Sequence, residues 1–216
     1  MKTRFTCCAV CLLILLAGCG APKATETKSG FLTDYSKLEK VDGNSAFYKT
    51  AGFDLKNYAQ IKFEPVKVQL SQELLESTKL EAAQQQQIAE YAANELNRKL
   101  SAGFTGQGTG TLNVRTAVSG ISNTSEELSA WQYVPVALAV TAAKEAAGKR
   151  DRALVLFFEA EATEETTGKI VAAKLSASEL GLVDNADFQN DPVATIKPMI
   201  DKAINKLVAG IKEQLQ

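Results

Sequence analysis

Residues 152–178, RALVLFFEAEATEETTGKIVAAKLSAS, contain the pattern that decides the fold. Ala153 to Thr163 and Lys169 to Ser178 read as two strands joined through the polar turn region Thr166-Thr167-Gly168, which predicts a β-hairpin. The two faces of the first strand are Leu154, Leu156, Phe158, Ala160 and Ala162 on one side, and Val155, Phe157, Glu159 and Glu161 on the other. The second face becomes acidic toward the turn, which indicates a solvated strand end.

Two further strands with a long helix between them are expected before the hairpin. Residues 60–70 alternate with a change of parity at Pro65, which predicts a bulge or an edge position. Residues 111–121 alternate without interruption. The helix between them is predicted to begin near Ser71 or at the capping-box candidate Thr78-x-x-Glu81, and to run to about Leu100. Its four consecutive glutamines, 84–87, are expected to be mostly solvated.

The rest of the chain adds helices and an extended segment. After the hairpin, Asp191-Pro192 starts an apolar helical repeat that Pro198 is expected to kink or split. Residues 131–148, WQYVPVALAVTAAKEAAG, favour helix over strand, with Pro135 in the first turn and burial against the sheet or against a partner. Residues 31–60 are predicted to form an extended strap whose aromatic rings pack onto the core.

These elements predict an α+β fold in a single domain. A small mixed or antiparallel sheet is expected to pack against two to three helices, in the order β-α-β-α-β-β-α.

The amino-terminal residues have the features of a signal peptide. Lys2 and Arg4 precede an apolar run that is too short to span a membrane. Leu16-Ala17-Gly18-Cys19 resembles the lipobox of bacterial lipoprotein precursors. The resemblance implies cleavage between Gly18 and Cys19, an S-diacylglyceryl group on the Cys19 thiol and an N-palmitoyl group on its new amino terminus.

This prediction divides the chain into residues 1–18 as a cleaved signal peptide, 19–30 as the lipidated cysteine and a flexible tether, and 31–216 as one globular domain. Cys7, Cys8 and Cys11 leave with the signal peptide, so the exported domain has no disulfide. The polar tether of about 11 residues has a root-mean-square span of roughly 18 Å.

The composition argues against most catalytic and nucleic-acid-binding classes. The chain has no histidine, which removes the commonest general base and metal ligand. Its net charge of −1 falls to about −3 after cleavage, which does not favour nucleic acid. Gly106, Gly108 and Gly110 precede a strand rather than following one, so they do not form a phosphate loop. We therefore expect no cofactor, no metal, no nucleic acid and no enzymatic activity.

One carboxylate pair keeps an enzymatic alternative open. Glu159 and Glu161, two apart on a strand, point to the same side about 6–7 Å apart. That separation lies in the range used by glycosidases. A hydrolase built on these two residues is therefore one functional hypothesis, and it ranks behind the two that are given below.

Three quoted stretches resemble a known family. They are SGFLTDYSKL at 29–38, NYAQIKFEPVKV at 57–68 and EAEATEETTGKIVAA at 159–173. Together they resemble the bacterial lipoprotein family catalogued as domain of unknown function 3313, over about residues 29–215. The resemblance implies a secreted, lipid-anchored domain without an assigned activity. Gly20 is not the aspartate that retains many lipoproteins in the inner membrane, so the periplasmic face of the outer membrane of a Gram-negative bacterium is expected.

Two functional hypotheses from different classes follow. The first is a non-catalytic accessory that binds another envelope protein or associates with itself. The second is a lipoprotein that holds a glycan or lipid against the aromatic strap, or beside Trp131 and Tyr133.

Overall fold

The structure, a computed structural model, describes residues 28–42, 45–78, 80–122, 152–183 and 185–215. The predicted signal peptide, Cys19 and the predicted helix after Pro135 lie outside these residues, as do Trp131 and Tyr133. The described helices are α1 (Gln72–Ser77), α2 (Ala82–Leu100), α3 (Asn185–Asn190) and α4 (Pro192–Gln214), with one 3₁₀ turn at Leu55–Asn57.

All eight described strands belong to one mixed sheet. The strands are β1 (Glu39–Asp42), β2 (Ser45–Lys49), β3 (Tyr58–Phe63), β4 (Lys67–Val68), β5 (Phe104–Thr105), β6 (Gly110–Ser122), β7 (Arg152–Glu164) and β8 (Ile170–Val183). Their order is β1-β2-β8-β7-β6-β3-β5, and β4 also pairs with β6. β3 and β4 run parallel to β6, while the other pairings are antiparallel. The predicted α+β class is confirmed, with a larger sheet than expected.

The additional strands lie where the sequence predicted only a strap. β1 and β2 form a hairpin within residues 31–60, and β2 pairs with β8 from Ser45↔Ser176 to Lys49↔Ala172. These strands are only four and five residues long, too short to show a period of their own. The strand predicted at 60–70 is divided into β3 and β4 around Pro65, which has no amide hydrogen to give to β6.

The first face of the sheet carries the main core. Leu154, Leu156 and Phe158 of β7 point to this face, as the alternation predicts, and pack against α2 and α4. From α2 and α4, the buried side chains in this cluster are Ile88, Ala89, Ala92, Ala93, Leu96, Leu100, Ile196, Ile200 and Ile204. The hairpin β7–β8 is therefore the centre of the sheet and one wall of the core.

The helix predicted to begin near Ser71 or at Thr78 and to run to about Leu100 is two helices in the structure, α1 and α2. α1 ends at Ser77 and α2 begins at Ala82, so the capping box is formed by Glu81 and Gln84 and the prediction of Thr78 and Glu81 is wrong. The Gln84 side chain accepts a hydrogen bond from the Glu81 amide at 3.2 Å. The four glutamines were expected to be mostly solvated and without a specific role, and this expectation is wrong for Gln85, which is 1 % exposed. Its Nε2 donates to the carbonyls of Leu75 and Leu80, which ties α1 to α2.

The last helix begins where the sequence predicts. Asp191 accepts a hydrogen bond from the Ala194 amide at 2.9 Å, and Pro192 occupies the first turn. Pro198 does not divide the helix. Among the helices of the described ranges, none is both long enough and apolar enough to cross a bilayer.

Glycines 106 and 108 are required by a close backbone approach. A Cβ on Gly108 would lie 2.0 Å from the carbonyl carbon of Asn57, and one on Gly106 would lie 2.4 Å from the carbonyl oxygen of Tyr58. A Cβ on Gly210, inside α4, meets nothing within 4 Å. The glycine-rich stretch before β6 is thus explained by packing.

We predict opposite effects for two glycine-to-alanine changes. Gly108→Ala is expected to lower the free energy of unfolding by about 1–3 kcal/mol, because the new methyl group overlaps backbone atoms. Gly210→Ala is expected to raise it by about 0.5–1 kcal/mol, because alanine is the better helix former. Urea denaturation of both variants measures these differences. Equal effects at the two positions would contradict the packing at Asn57.

Candidate functional site

The second face of the sheet, opposite α2 and α4, is covered by two different elements. At one end, Leu74 of α1 packs against Val155 and Phe157 of β7. Gly120 makes room for it, since a Cβ at that position would lie 2.3 Å from Cδ1 of Leu74. The rest of the central strands is covered by the chain that precedes β1.

Residues 28–38 form this cover. From here on, the name strap is used for these residues alone and not for the longer segment predicted at 31–60. Phe31 and Leu32 are buried and pack against Ala117 of β6 and Ala173 of β8. Because both sheet residues are small, they leave space for the larger side chains of the strap. The predicted strap is therefore confirmed for residues 31–38, and it crosses the middle of the sheet.

Glu159 accepts hydrogen bonds from two residues of the strap. It lies near the middle of β7, is paired in register with Ala117 and Leu175, and is 0 % exposed. The Ser29 amide donates to its Oε1 at 3.0 Å, and the Tyr35 hydroxyl donates to its Oε2. Both carboxylate oxygens are thus occupied by groups of the strap.

Glu161 accepts hydrogen bonds from a third residue of the strap and from β6. The Thr33 amide donates to its Oε2 at 2.9 Å, and the Thr33 hydroxyl donates to its Oε1 at 3.0 Å. Arg115 of β6, directly opposite in the register, donates to the same Oε1 from Nε at 2.8 Å and from Nη2 at 2.6 Å. The guanidinium also lies 4.7 Å from the centre of the Phe31 ring, a cation–π contact.

We call these six residues the latch: Ser29, Thr33, Tyr35, Arg115, Glu159 and Glu161. The prediction that the two glutamates are a solvated strand end is wrong, since Glu161 is only 3 % exposed and Glu159 fully buried. The strap removes them from water and supplies the donors that a buried carboxylate requires. The alternation that placed both on one face is confirmed.

The latch has the chemistry of an internal clamp. Four donors come from the strap and two from Arg115, and they satisfy four oxygen atoms. Within the described part of the chain, no group of three or more carboxylate, cysteine or histidine side chains could hold a metal ion. The arrangement holds the strap against the sheet of the same chain.

The pKa of Tyr35 depends on its contacts within the latch. Burial raises the pKa of Tyr35 above the ordinary value of 10.0, and its hydrogen bond to Glu159 raises that pKa further. Because the folded pKa is raised, the stability that Tyr35 contributes is present below about pH 10 and is lost as pH rises through the folded pKa.

We predict that Tyr35 ionises late in an alkaline titration. The difference in tyrosinate absorbance between the wild type and Tyr35→Phe should have a midpoint above pH 10, because the Phe variant lacks only this phenol. A difference midpoint at or below 10 would contradict the buried contact with Glu159.

The aromatic rings of residues 31–60 lie against the fold. Phe31 and Tyr58 are buried, and the other four rings, Tyr35, Phe47, Tyr48 and Phe53, are half-buried. Two shallow grooves of about 350 and 530 Å³ lie at other places, beside Phe104 and Phe63 respectively. Neither groove is lined by any of these six rings.

Sequence reasoning missed the partners of the two glutamates. Arg115 falls on the polar side of the alternation in 111–121, so an arginine beside an acidic strand was a signal for an ion pair. Ser29, Thr33 and Tyr35 lie in the stretch SGFLTDYSKL, whose resemblance to a family gave it weight without a structural reason. The latch supplies that reason.

Comparison with protein families decides the relationship of this chain. The family described as "Protein of unknown function (DUF3313)" matches residues 27–207, which include every residue of the latch. The chain belongs to this family. In this DUF3313 chain, the amino-terminal boundary of the match falls two residues before Ser29, where the strap meets Glu159.

The curated relatives of this DUF3313 chain include two bacterial proteins. Each is named "Uncharacterized lipoprotein YdcL", one from Escherichia coli strain K12 and one from Escherichia coli O157:H7. Both are 28% identical over 211 residues, with 89% of each chain covered. The similarity therefore extends over most of both chains.

Solved structures of the PelC dodecamer from Paraburkholderia phytofirmans are also similar to this chain. The similarity covers 73% of this chain and 95% of that one, at 11% identity, with TM-scores of 0.25 in one crystal form and 0.28 in another. At these TM-scores, the likeness carries no argument about fold or assembly.

Proposed function

We propose that this protein is a lipid-anchored lipoprotein of the cell envelope with a non-catalytic accessory role. Its domain binds another envelope protein, or a second copy of itself, at the periplasmic face of the outer membrane. The observation that carries the proposal is the latch, which fixes the chain directly after the tether to the centre of the sheet. Such a connection fixes the point of the domain from which the chain leads back to the anchor.

The anchor itself is supported by two facts. Residues 16–19 match the lipobox, and the YdcL relatives are named lipoproteins. Gly20 after the cysteine favours the outer membrane. Three acyl chains on Cys19 would hold the protein stably, because one chain alone gives only marginal binding.

The non-catalytic role is supported by the state of the two carboxylates. A general acid or a nucleophile needs an oxygen that can reach substrate. Those of Glu159 and Glu161 accept hydrogen bonds from the strap and from Arg115, under a layer of buried side chains. The hydrolase hypothesis therefore loses its motivation.

The alternative of a glycan or lipid ligand has less support. Its first basis was an aromatic platform in residues 31–60, and those rings pack onto the fold instead. Its second basis, Trp131 and Tyr133, lies outside the described residues. The accessory role is the better supported of the two.

We predict that Cys19→Ser abolishes processing and lipidation. The variant should keep residues 1–18, take up no labelled palmitate and migrate as the longer precursor, because the thiol that receives diacylglyceryl is gone. Ser36→Cys, with an exposed new thiol in the domain, is the matched control and should process normally. Normal processing of Cys19→Ser would overturn the anchor.

The accessory role is tested by crosslinking in cells, followed by purification from gently solubilised membranes. We expect a stoichiometric partner or a homo-oligomer with the wild type, and its loss with Cys19→Ser, which is neither processed nor lipidated. A monodisperse monomer after crosslinking would contradict the proposal.

A further inference from the structure

The latch determines where the tether leaves the domain. β7 is the middle strand of the order β1-β2-β8-β7-β6-β3-β5, and Glu159 lies near the middle of β7. The Ser29 amide is bound to Glu159, and the Ser29 carbonyl accepts from Nε2 of Gln69 at 2.9 Å. The tether therefore leaves from the centre of the second face, opposite α2 and α4.

The part of the predicted tether that precedes the latch is short compared with the domain. From Cys19 to Lys28 the chain has about ten residues, which reach at most about 35 Å when fully extended. A domain of about 186 residues has a radius of gyration of about 16 Å, which corresponds to a sphere of radius about 21 Å. Passing around such a sphere from one pole to the other requires about 65 Å, from the same radius.

We propose that the latch gives the anchored domain a polarity on the membrane, in which the strap face can turn toward the lipid and the face of α2 and α4 cannot. This inference rests on the proposed anchor at Cys19. The geometric reason is that about 35 Å of tether cannot pass around the domain, so the helical face cannot reach the bilayer.

The side chains of α4 give this polarity a consequence. Lys202, Lys206 and Lys212 are exposed on the solvent side of α4, with Glu213 among them. Anionic lipid attracts lysines close to its surface. Held away from the bilayer, these lysines stay available in the aqueous space.

Releasing the strap would remove the restriction. The free chain would then extend from Cys19 to about Leu38, about 20 residues with a maximal reach of about 70 Å. The chain would also leave from the β1 edge of the sheet, so the path to the helical face would be about half as long. The latch thus controls which face the bilayer can meet.

Energy transfer from single labels to the membrane tests the polarity. Because Cys19 is the one cysteine of the processed chain and carries the lipid, an introduced cysteine can be labelled alone. Gln72→Cys is exposed on α1, which lies on the same face of the sheet as the strap, so it labels the strap face. Ala209→Cys is exposed on α4 and labels the opposite face, called the helical face, which carries α2 and α4. Lipidated protein is placed in phosphatidylethanolamine–phosphatidylglycerol vesicles that contain a headgroup-labelled acceptor lipid.

We expect transfer from position 72 to exceed transfer from position 209 severalfold. A fifteen-residue Gly-Ser spacer inserted after Gly20 leaves the latch intact and gives a reach of about 85 Å, so it should raise transfer from position 209. The strap variant Phe31→Ser/Thr33→Ala/Tyr35→Phe should do the same, and the spacer keeps the test independent of its folding.

The outcomes separate this inference from the anchor. Equal transfer from positions 72 and 209 in lipidated protein, or no effect of the spacer, would overturn the polarity and leave the anchor standing. Protein that takes up no palmitate and does not bind the vesicles would overturn the anchor and with it the polarity.

Discussion

Glu161→Ala is expected to lower the free energy of unfolding by about 3 kcal/mol, at the lower end of the range for breaking a buried ion pair. The change removes the partner of Arg115, whose side chain is only 28% exposed, and leaves the guanidinium beside a cavity. It also removes the acceptor of the Thr33 amide and hydroxyl. Four donor atoms, two on Thr33 and two on Arg115, lose their acceptor on Glu161 in one substitution.

Glu165→Ala is the matched control. Glu165 lies four residues further along the same hairpin, and its pair with Lys62 has a similar distance, 2.9 Å, with 53% and 45% of the side chains exposed. Exposed pairs contribute about 0–1 kcal/mol, so the control should change stability little. Urea denaturation of both variants gives the comparison, and equal losses would contradict the buried position of Glu161.

Phe31→Ala is expected to lower the free energy of unfolding by about 3 kcal/mol, because a buried ring is replaced by a methyl group. Phe31 is 4 % exposed, packs against Ala117 and Ala173, and contacts Arg115. The two alanines cannot fill the space that the ring leaves. The substitution should therefore loosen the strap as well as destabilise the domain.

A second readout distinguishes loosening of the strap from a general loss of stability. Trypsin should cleave after Lys37, within the strap, faster in Phe31→Ala than in the wild type under native conditions. Phe53→Ala, in a half-buried ring outside the strap, is the control and should leave this cleavage unchanged. Unchanged cleavage in Phe31→Ala would contradict the role of the ring in holding the strap.

The hairpin and its two faces could be predicted from the sequence because β7 and β8 are long enough for a period of two to be visible. The apolar face of β7, including Leu156 and Phe158, is where the alternation places it. The same alternation could not show whether Glu159 and Glu161 face water, since the answer depends on a segment more than 120 residues away in the chain. Burial of a carboxylate is decided by its partners, and these are tertiary.

The shorter elements were missed for a related reason. β1 and β2 are specified by their pairing with β8 rather than by their own residues. Gln85 looked like one solvated glutamine among four, although its amide joins two helices. In each case the deciding contact is made by a side chain or strand that local periodicity does not include.

Hydrogen exchange at two backbone amides tests the central claim most directly. Ser29 and Thr33 lie outside every described helix and strand, yet their amides donate to buried carboxylates. The latch predicts that both exchange slowly in the wild type, and that Thr33 loses its protection in Glu161→Ala while amides of β6 keep theirs. Exchange of Ser29 and Thr33 at the rate of an unstructured chain in the wild type would contradict the latch.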